Sequence, residues 1–414
     1  MSGRDGSYVF EWPSLHVSCN VSRFKSYRDE DVKASMRFYT DRPTSADGFL
    51  TGGRVILESL SSKASLIKSL KERESELDWV KIVEQACNAA LDDYRRGQKE
   101  VQLAEVDVKN HVKWVVTPGL LQEQNPTLIY GPGNTGKSWI GIWLAVMLDS
   151  GESSCGISVE PQQGKILYLD WETSEDEIGA RVTMIRRGMG LQGPSTIWYK
   201  AMSTGLAQDI ESIRNIIVSK GITTVVLDSL GSACMGEPES AEIVLRMFQA
   251  LRSLKVTSLL IDHTNKEGHL FGSVYKFNAS RVIFEARKSQ QPDDDLIVFG
   301  LFHRKSNNSK LIRDMGFELS FEDDTAIFSR KDVRDTPLAE HMRVADQIAA
   351  LLRRGAMTVP DIADELQKSE GHVRKVFSDN SRMFVRLNDN SGRYANAMHE
   401  EVAESLAPQG GSWL

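Results

Sequence analysis

Eight consecutive residues limit the fold of this chain more than any other feature of its sequence. The run Gly131-Pro-Gly-Asn-Thr-Gly-Lys137-Ser138 fits the pattern GxxxxGK[ST] at every required position. Residues 127–130 before it form an apolar stretch typical of a strand, and residues 139–148 after it form a stretch typical of a helix. The glycines let backbone N–H groups turn inward, and the start of the helix adds a positive potential. The run therefore predicts a phosphate-binding loop between a strand and a helix.

Each residue of this loop has an expected part in binding a nucleoside triphosphate. Lys137 is expected to contact the β- and γ-phosphates, and the Ser138 hydroxyl is expected to ligate Mg²⁺. The predicted nucleotide contacts are Gly131, Pro132, Gly133, Asn134, Thr135, Gly136, Lys137, Ser138 and Trp139. A nucleoside triphosphate and Mg²⁺ are thus the expected cofactors.

A second ligand for the metal is expected at the end of another buried strand. The run of residues 223–227 ends in Asp228, which is predicted to hold Mg²⁺ through the water shell of the ion. A strand-end aspartate alone is a common cap, but this one follows a complete phosphate loop. Asp228 is therefore expected to belong to the same site.

Hydrolysis also needs a group that orients the attacking water. Glu172 stands just past the strand predicted at residues 165–170, at the edge where ligands of open α/β sheets bind. Asp170 is the alternative carboxylate, although the alternation of side chains along a strand favours a structural role for it. His263 follows another predicted strand and is expected to report the loss of the γ-phosphate to residues 264–272. Glu172 is thus the predicted catalytic carboxylate.

Composition excludes several classes of protein. A hydrophobic fraction of 41% and a charged fraction of 26% are ordinary for soluble globular domains, and the formal net charge is −7. The four cysteines lie far apart, which favours reduced thiols over a zinc site or a disulfide framework. No apolar run reaches the roughly 18 residues of a membrane span, and the N-terminus has no signal-peptide pattern. We expect a cytoplasmic protein that makes no membrane contact.

The first part of the chain, residues 1–105, is expected to form a small α/β domain for assembly or partner contacts. Residues 34–39 and 54–57 have strand character. A long amphipathic helix follows, with Ser75 as its predicted N-cap and Gly97 as its end. This helix is expected to pack against a core or a neighbouring subunit and to carry no chemistry.

The pattern changes over residues 106–332, where short apolar strands alternate with amphipathic helices. Such strands are apolar on both faces, which is typical of a mostly parallel sheet covered by helices on both sides. The strands predicted at residues 281–286 and 295–303 are candidates for an antiparallel edge of that sheet. We therefore expect an α/β ATPase core.

A third domain is expected at residues 340–400, after a polar linker at residues 332–340. Helices are predicted at residues 344–352, 359–366 and 371–378, and hairpin strands at residues 384–387 and 393–396. Three helices and a hairpin in this order are a winged-helix arrangement. Residues 401–414 are rich in Gly and Ser and are expected to be disordered.

Taken together, these motifs resemble a known family. The phosphate loop, Glu172, Asp228, His263 and the segment His303-Arg-Lys-Ser-Asn307 resemble the RecA-like core over roughly residues 110–330. Within that class the sequence is most similar to the RepA/DnaB-like group of hexameric replicative helicases of plasmids, phages and other mobile elements. The resemblance implies ATP with Mg²⁺, a ring-shaped homo-oligomer that is most often a hexamer, single-stranded DNA, and a primase or loader as partner.

In that family a neighbouring subunit supplies a cation to the γ-phosphate from a late strand. Arg304 and Lys305 match this segment, so the resemblance implies a trans-acting cation at one of the two positions. The family pattern is often Lys-x-Arg followed by Gly; if Lys305 takes the lysine position, Asn307 stands in the arginine position. The alternative is an exposed basic turn without a catalytic part.

DNA contacts are expected in two places. Lys266 and His269 lie in the predicted loop after His263. In a winged helix the third helix enters the major groove, so the predicted contacts there are Arg374, Lys375, Arg386 and Arg393. Residues 343–396 hold nine basic and seven acidic residues, so a protein or subunit contact stays an alternative for this domain.

These features favour an ATP-dependent DNA helicase or translocase that acts on single-stranded DNA during the replication of a mobile element. One alternative is a recombinase or strand-annealing ATPase on the same core. The other is a regulatory DNA-binding protein that ATP switches between assembly states. Directional unwinding supports the first function, strand exchange without unwinding supports the second, and tight duplex binding with negligible turnover supports the third.

Overall fold

The chain divides into two compact units, Met1–Lys109 and Asn110–Leu414, in a computed structural model. The structure describes residues 2–4, 7–27, 31–42, 48–96, 112–160, 165–237, 239–265, 268, 270–272, 274–290, 295–387 and 392–397. Four sequence predictions lie outside these residues: the DNA contacts Lys266 and His269, the helix end at Gly97, the hairpin turn at 388–391, and the tail at 401–414.

The first unit contains an antiparallel sheet of five strands in sequence order, followed by two helices. Its elements are β1 (Ser2–Arg4), β2 (Ser7–Trp12), a 3-10 turn (Pro13–Leu15), β3 (Val17–Tyr27), β4 (Asp31–Thr40), β5 (Phe49–Ile56), α1 (Leu60–Arg73) and α2 (Trp79–Arg96). Side chains alternate along β4, so that Ala34, Met36 and Phe38 share a core with α1 and α2. The opposite face of the sheet is exposed at Lys33 and Arg37.

Only part of this unit carries a clear sequence pattern. Strands β1 to β3 and helix α1 are not predicted, because their outward faces are polar and α1 buries only Lys63, Leu66 and Leu70. The predicted cap of α2 is wrong: Ser75 lies in the preceding turn, and Oδ1 of Asp78 accepts the N–H of Lys81 at 3.2 Å.

Apart from a two-stranded hairpin, the second unit contains two sheets, a small one of three strands and a central one of nine. Their strands are β6 (Trp114–Thr117), β7 (Leu121–Gln122), β8 (Pro126–Gly131), β9 (Ser158–Val159), β10 (Lys165–Asp170), β11 (Trp198–Ala201), β12 (Ile222–Asp228), β13 (Thr257–His263), β14 (Val282–Ser289), β15 (Leu296–Ser306), β16 (Met315–Glu322) and β17 (Thr325–Lys331). The central order is β11-β10-β12-β13-β8-β14-β15-β16-β17. Strands β11 to β14 in this order are parallel, and β15 begins an antiparallel edge.

Helices cover both faces of the central sheet, as the apolar strands predict. They are α3 (Lys137–Ser150), α4 (Glu175–Gly188), α5 (Leu206–Lys220), α6 (Leu230–Cys234), α7 (Ala241–Ser253) and α8 (Val274–Ala279). Adjacent strand residues face different cores: Ile129 packs with α3 and α4, whereas Leu128 packs with α5, α6 and α7. The polar ends of these strands are therefore brought together at one edge of the sheet.

The segment after β17 is not the linker that its polar sequence predicts. It forms two 3-10 turns, Val333–Asp335 and Pro337–His341, in which Val333 and Leu338 are buried against Phe302. Two apolar side chains at the right spacing are enough to attach this polar segment to the antiparallel edge of the sheet.

The remaining elements occur in the order that the sequence predicts. They are α9 (Val344–Leu351), α10 (Val359–Glu365), α11 (Glu370–Asp379), β18 (Phe384–Arg386) and β19 (Tyr394–Asn396). Phe377 stacks on Tyr394 with ring centroids 4.0 Å apart and meets Phe384 edge-on at 5.0 Å, which joins the third helix to the hairpin. Among the described helices, none has both the length and the apolar character that crossing a membrane requires.

Candidate nucleotide site

The predicted phosphate loop connects β8 to α3, with Gly131 as the last strand residue and Lys137 as the first helical one. Packing fixes two of its glycines. A Cβ on Gly131 would lie 2.3 Å from the carbonyl oxygen of Ala286, and one on Gly136 would lie 2.4 Å from the ring of Phe299. Gly133 has nothing within 4 Å of its missing Cβ, so the loop is open on that side. Neighbouring residues thus pack against the loop at Gly131 and Gly136, and the loop is open to a ligand at Gly133.

Lys137 is the buried cation of this loop, with 4% of its surface exposed. Its Nζ donates to the carbonyl oxygens of Gly131 at 3.0 Å and Pro132 at 2.7 Å. Burial lowers the pKa of Lys137 to about 8, an effect that the carboxylates of Asp228, Asp262 and Glu172 oppose. A phosphate beside this ammonium would favour its charged form further, because an opposite charge stabilises it.

Ser138 and Asp228 form the pair of oxygen donors expected for the metal. Asp228 is buried at the end of β12, where Oδ2 accepts from the hydroxyl of Tyr168 at 2.7 Å and the side chain of Ser138 also hydrogen-bonds to it. Burial raises the pKa of Asp228, and these two hydrogen bonds oppose the rise. One hydroxyl and one carboxylate fit Mg²⁺, whose shell phosphate oxygens and water complete. When bound there, the ion would neutralise charge on the phosphates.

Glu172 lies beside this pair on the turn after β10. Its Oε1 accepts from the hydroxyl of Ser229 at 2.5 Å and lies 3.5 Å from Nε2 of His263. The hydrogen bond from His263, followed by that from Ser229, lowers the pKa of Glu172. The carboxylate is therefore ionised at neutral pH and held from two sides. The peptide bond between Asp228 and Ser229 is cis.

Asp170 holds the turn that carries Glu172. Its Oδ1 accepts the N–H of Glu172 at 2.9 Å and of Thr173 at 3.3 Å, and its Oδ2 accepts from the hydroxyl of Tyr199 at 3.2 Å. With 2% of its surface exposed, Asp170 has both oxygens committed, whereas the side chain of Glu172 is 37% exposed. Of the two carboxylates, Glu172 is the one with access to water.

His263 connects Glu172 to the phosphate loop. Its Nδ1 lies 3.4 Å from Nζ of Lys137. Because an ammonium can only donate, this contact makes Nδ1 the acceptor and leaves the ring proton on Nε2, facing Glu172. His263 thus connects Lys137 of the phosphate loop to the carboxylate of Glu172 through two polar contacts.

A buried ion pair beneath His263 is not visible in the sequence. Nζ of Lys276 in α8 lies 2.7 Å from Oδ2 of Asp262, and the two side chains are 0% and 2% exposed. Oδ1 of Asp262 accepts the N–H of His263 at 2.9 Å. Lys276 belongs to a short helix without a strong pattern, so only the strand-end position of Asp262 could have pointed to the pair.

Trp139 turns its side chain away from the loop. Its indole meets Phe321 edge-on at 5.2 Å, and the guanidinium of Arg181 lies 5.3 Å from its centre. The indole is therefore part of the packing between α3, α4 and β16. Only its backbone stays available for the nucleotide contact that the sequence predicts.

Arg304 and Lys305, the candidate trans-acting cations, have partners in their own chain. Nε of Arg304 donates to Glu285 at 2.8 Å. Nζ of Lys305 donates to the carbonyls of Phe277 at 2.7 Å, Asn278 at 3.1 Å and Ser280 at 2.9 Å, at the C-terminal end of α8. Lys305 pairs with Ile283 near the start of β14, whereas the phosphate loop follows the end of the parallel β8. Lys305 thus lies at the edge of the sheet away from its own phosphate loop.

The predicted DNA contacts of the C-terminal elements are on the surface. Arg374 and Lys375 are exposed on α11, and Arg374 pairs with Glu370 one turn earlier at 2.7 Å. Arg386 and Arg393 are exposed on and beside the hairpin. The structure therefore brings all four to the third helix or the hairpin.

Comparison with known proteins supports the ATPase interpretation. Residues 95–269 match the family described as AAA domain. No curated protein matches the chain. The matched region includes the phosphate loop, Glu172, Asp228 and His263. Together with the geometry of the loop, the match identifies a P-loop ATPase domain in this chain.

Proposed function

We propose that this protein is an ATP-driven motor of the RecA-like class that moves along single-stranded DNA as a ring-shaped oligomer. The observation that carries the proposal is the position of Glu172. It follows β10, the strand beside the one that ends in Asp228, while the residue next to Asp228 is Ser229. A catalytic glutamate at the end of the neighbouring strand is the RecA-like arrangement, and one that adjoins the metal-binding aspartate is the AAA+ arrangement.

The hydrolytic step follows from the chemistry of four side chains. Glu172 accepts a proton from the water that attacks the γ-phosphorus, since its lowered pKa keeps it ionised and ready to polarise that water. Lys137 stabilises the negative charge that develops on the γ-phosphate oxygens. Ser138 and Asp228 would hold Mg²⁺, directly and through water respectively. Asp170 positions Glu172 through the turn that both residues share.

Coupling to DNA would begin at His263. Its ring contacts both Lys137 and Glu172, so loss of the γ-phosphate changes the contacts of all three side chains. Its backbone is fixed by Asp262, whose carboxylate is paired with Lys276 in α8. The segment between them includes the predicted DNA contacts Lys266 and His269. His263 is only a few residues along the chain from the segment predicted to bind single-stranded DNA. A shift of His263 can therefore be passed directly to that segment.

Oligomerisation would complete the site. An ATPase of this class takes a cation from the neighbouring subunit, and Lys305 lies at the edge of the sheet away from its own phosphate loop. That location favours an action in trans over one in cis. The three helices and hairpin after residue 343 would form a winged helix with Arg374 and Lys375 on its third helix, as a second DNA contact.

The experiment that tests the proposal has two parts. The purified chain is weighed by mass photometry with a non-hydrolysable ATP analogue, with and without single-stranded DNA. Steady-state ATPase is then measured with and without the same DNA, together with unwinding of a forked duplex. A hexamer with DNA-stimulated turnover and directional unwinding supports the motor.

The other outcomes separate the alternatives. A filament that exchanges strands without unwinding them indicates a recombinase or annealing ATPase. Tight duplex binding with negligible turnover indicates an ATP-switched regulatory protein. A monomer whose turnover ignores DNA would contradict all three proposals while leaving the P-loop ATPase in place.

A further inference from the structure

The five-stranded sheet of the first unit has one face that neither α1 nor α2 covers. Alternate residues of β3, β4 and β5 pack into the core with α1 and α2. The residues between them lie on the opposite face of the sheet. We call this second surface the open face. Cross-strand pairing arranges it in rows, with Tyr39 opposite Phe49, Arg37 opposite Gly52, and Ser35 opposite Arg54.

Two aromatic rings form one end of the open face. Tyr39 and Phe49 are 5.5 Å apart between ring centroids, at an interplanar angle of 62°. Phe49 is 38% exposed, so part of its ring is open to solvent. Exposed aromatic rings on an antiparallel sheet offer stacking surfaces, and base stacking on such rings contributes about 1 to 3 kcal/mol per base.

Basic residues occupy the rows that follow. Arg37, Arg54 and Lys33 are exposed, and among the described residues none of the three has a carboxylate partner. Successive residues on one face of a strand are roughly 7 Å apart, so these charges form a continuous track away from the rings. The acidic residues Glu11 and Asp31 lie at the margins of the face rather than on the track.

Several other side chains of the open face are small. Ser18 and Asn20 of β3 pair with Tyr39 and Arg37, and Gly52 lies on the other side of Arg37. A Cβ on Gly52 would lie 2.7 Å from the carbonyl oxygen of Met36 and 3.0 Å from Cγ of Arg37, so the glycine leaves room for the arginine stem. A flat chain could therefore approach the sheet closely between the rings and the basic track.

A cleft opens at the aromatic end. It has a volume of about 490 Å³ and is lined by Glu11, His16, Ser18, Tyr39 and Asp41, among others. Nδ1 of His16 lies 2.9 Å from Oδ1 of Asp41, so the cleft offers hydrogen-bonding groups beside an aromatic ring. This volume is within the range of small-ligand sites and suits a single base turned out of the strand.

We propose that the open face binds single-stranded nucleic acid, with bases stacked on Tyr39 and Phe49 and the backbone phosphates on Arg37, Arg54 and Lys33. The charge of the open face favours nucleic acid over a second copy of this chain, because the basic track would repel the same track on another copy. Double-stranded nucleic acid presents no free base to the rings. The proposal does not rest on the ATPase function, because it concerns the other unit of the chain.

The test uses the full-length chain and an oligonucleotide that carries 5-iodouracil, in separate DNA and RNA versions. Photo-crosslinked peptides are mapped by mass spectrometry, in the wild type and in Lys137→Ala. Cross-links to Tyr39 or Phe49 in both proteins are expected. The version that cross-links more strongly identifies the nucleic acid. Cross-links confined to residues 110–414 would overturn the proposal and leave the motor function untouched.

A pair of matched variants measures the basic track. Arg37→Gln with Arg54→Gln should weaken binding of the oligonucleotide about tenfold in fluorescence anisotropy and reduce its salt dependence, since two phosphate contacts are lost. Lys68→Gln with Lys71→Gln removes two exposed charges from α1, on the other side of the unit, and should leave the affinity within twofold. Equal affinities for the two variants, or a change only in oligomeric state, would refute the inference. All four positions are exposed, so circular dichroism should report unchanged folding.

Discussion

Nζ of Lys137 lies 3.4 Å from Nδ1 of His263, although the two residues are 126 positions apart in the sequence. Neighbouring strands bring them together, because β13 pairs in parallel with β8 and places His263 opposite Gly131. The same histidine contacts Glu172, so the lysine proposed to bind phosphate and the carboxylate proposed to orient water share one neighbour. We therefore expect His263 to pass a change at the phosphate on to the rest of the site.

Replacement of the loop lysine tests the whole site. Lys137→Ala should abolish ATP binding and reduce turnover at least ~100-fold, because it removes the cation that stabilises charge on the transferred phosphate. Binding of a fluorescent ATP analogue and steady-state phosphate release measure the two effects. Wild-type hydrolysis by this variant would show that the nucleotide binds elsewhere.

The carboxylate of Glu172 should affect turnover without affecting binding. Glu172→Gln keeps an acceptor for Ser229 but cannot take a proton, so turnover should fall by roughly 10² to 10⁴ while ATP affinity changes little. Single-turnover hydrolysis with a filter-binding assay separates the two quantities. Asp170→Asn is the matched variant: it should lose stability more than catalysis, because Asp170 holds the turn. Normal turnover by Glu172→Gln would require a different base.

Local patterns explain how much of this site was accessible from the sequence. The phosphate loop and the polar residue after each apolar strand are contiguous signals, and the parallel sheet brings such strand ends to one edge whatever its strand order. Asp228, Glu172 and His263 therefore come together as expected. Contacts between distant segments have no such signal. The contact of Lys276 with Asp262, and the contacts of Lys305 with three carbonyls, depend on where α8 packs. The six residues of α8 show no periodicity that would predict its position.

In the first unit, by contrast, most of the strands have no local pattern in the sequence that predicts them. The helices described for this unit cover its sheet on one side, so the residues on the other side of each strand are mostly polar. Register shifts in β3 and β5 also break the alternation. Ser, Asn, Arg and Lys at outward positions hide the strands of residues 7–27 from any hydrophobic pattern. The same polar positions form the open face, whose character is visible only once the pairing register is known.

The ion pair between Lys276 and Asp262 should stabilise both the fold and the position of His263, the residue predicted to report the loss of the γ-phosphate. Lys276→Met leaves the carboxylate of Asp262 buried and unpaired, which should cost on the order of 3 kcal/mol in the free energy of unfolding. The double variant with Asp262→Asn removes both charges and keeps an acceptor for the His263 N–H, so it should recover part of that loss. Urea unfolding measures both, with Lys368→Met as a control at an exposed lysine. A cost no larger than that of the control would mean that the pair is not buried in solution.

Asp314 should make the protein less stable as the pH rises. Burial raises its pKa to about 6, and its Oδ2 has no hydrogen-bond partner among the described residues. In the unfolded chain the pKa is about 3.9, so the folded protein holds the proton more tightly and the stabilisation is lost as the pH rises through about 6. Asp314→Asn should therefore be more stable than the wild type by about 1 to 2 kcal/mol at neutral pH, with the difference vanishing below the unfolded pKa. Denaturant unfolding at a series of pH values checks this, and a variant that is less stable at neutral pH would contradict it.

The trans-acting cation can be identified by mixing subunits. Lys305→Met and Arg304→Gln are each combined with Lys137→Ala before assembly, and ATPase activity is measured for each mixture. Neither parent should turn over ATP if its mutated residue is essential. In a mixed ring, however, some interfaces pair an intact phosphate loop from one subunit with an intact cation from the next, so part of the wild-type rate should return. Lys305 is the expected residue, because it lies away from its own phosphate loop, whereas Arg304 is paired with Glu285. Lys305→Met should also loosen the end of α8, so a thermal melt is recorded for each variant. Recovery only with Arg304→Gln would move the assignment to Arg304, and full activity in both single variants would rule out a cation from this segment.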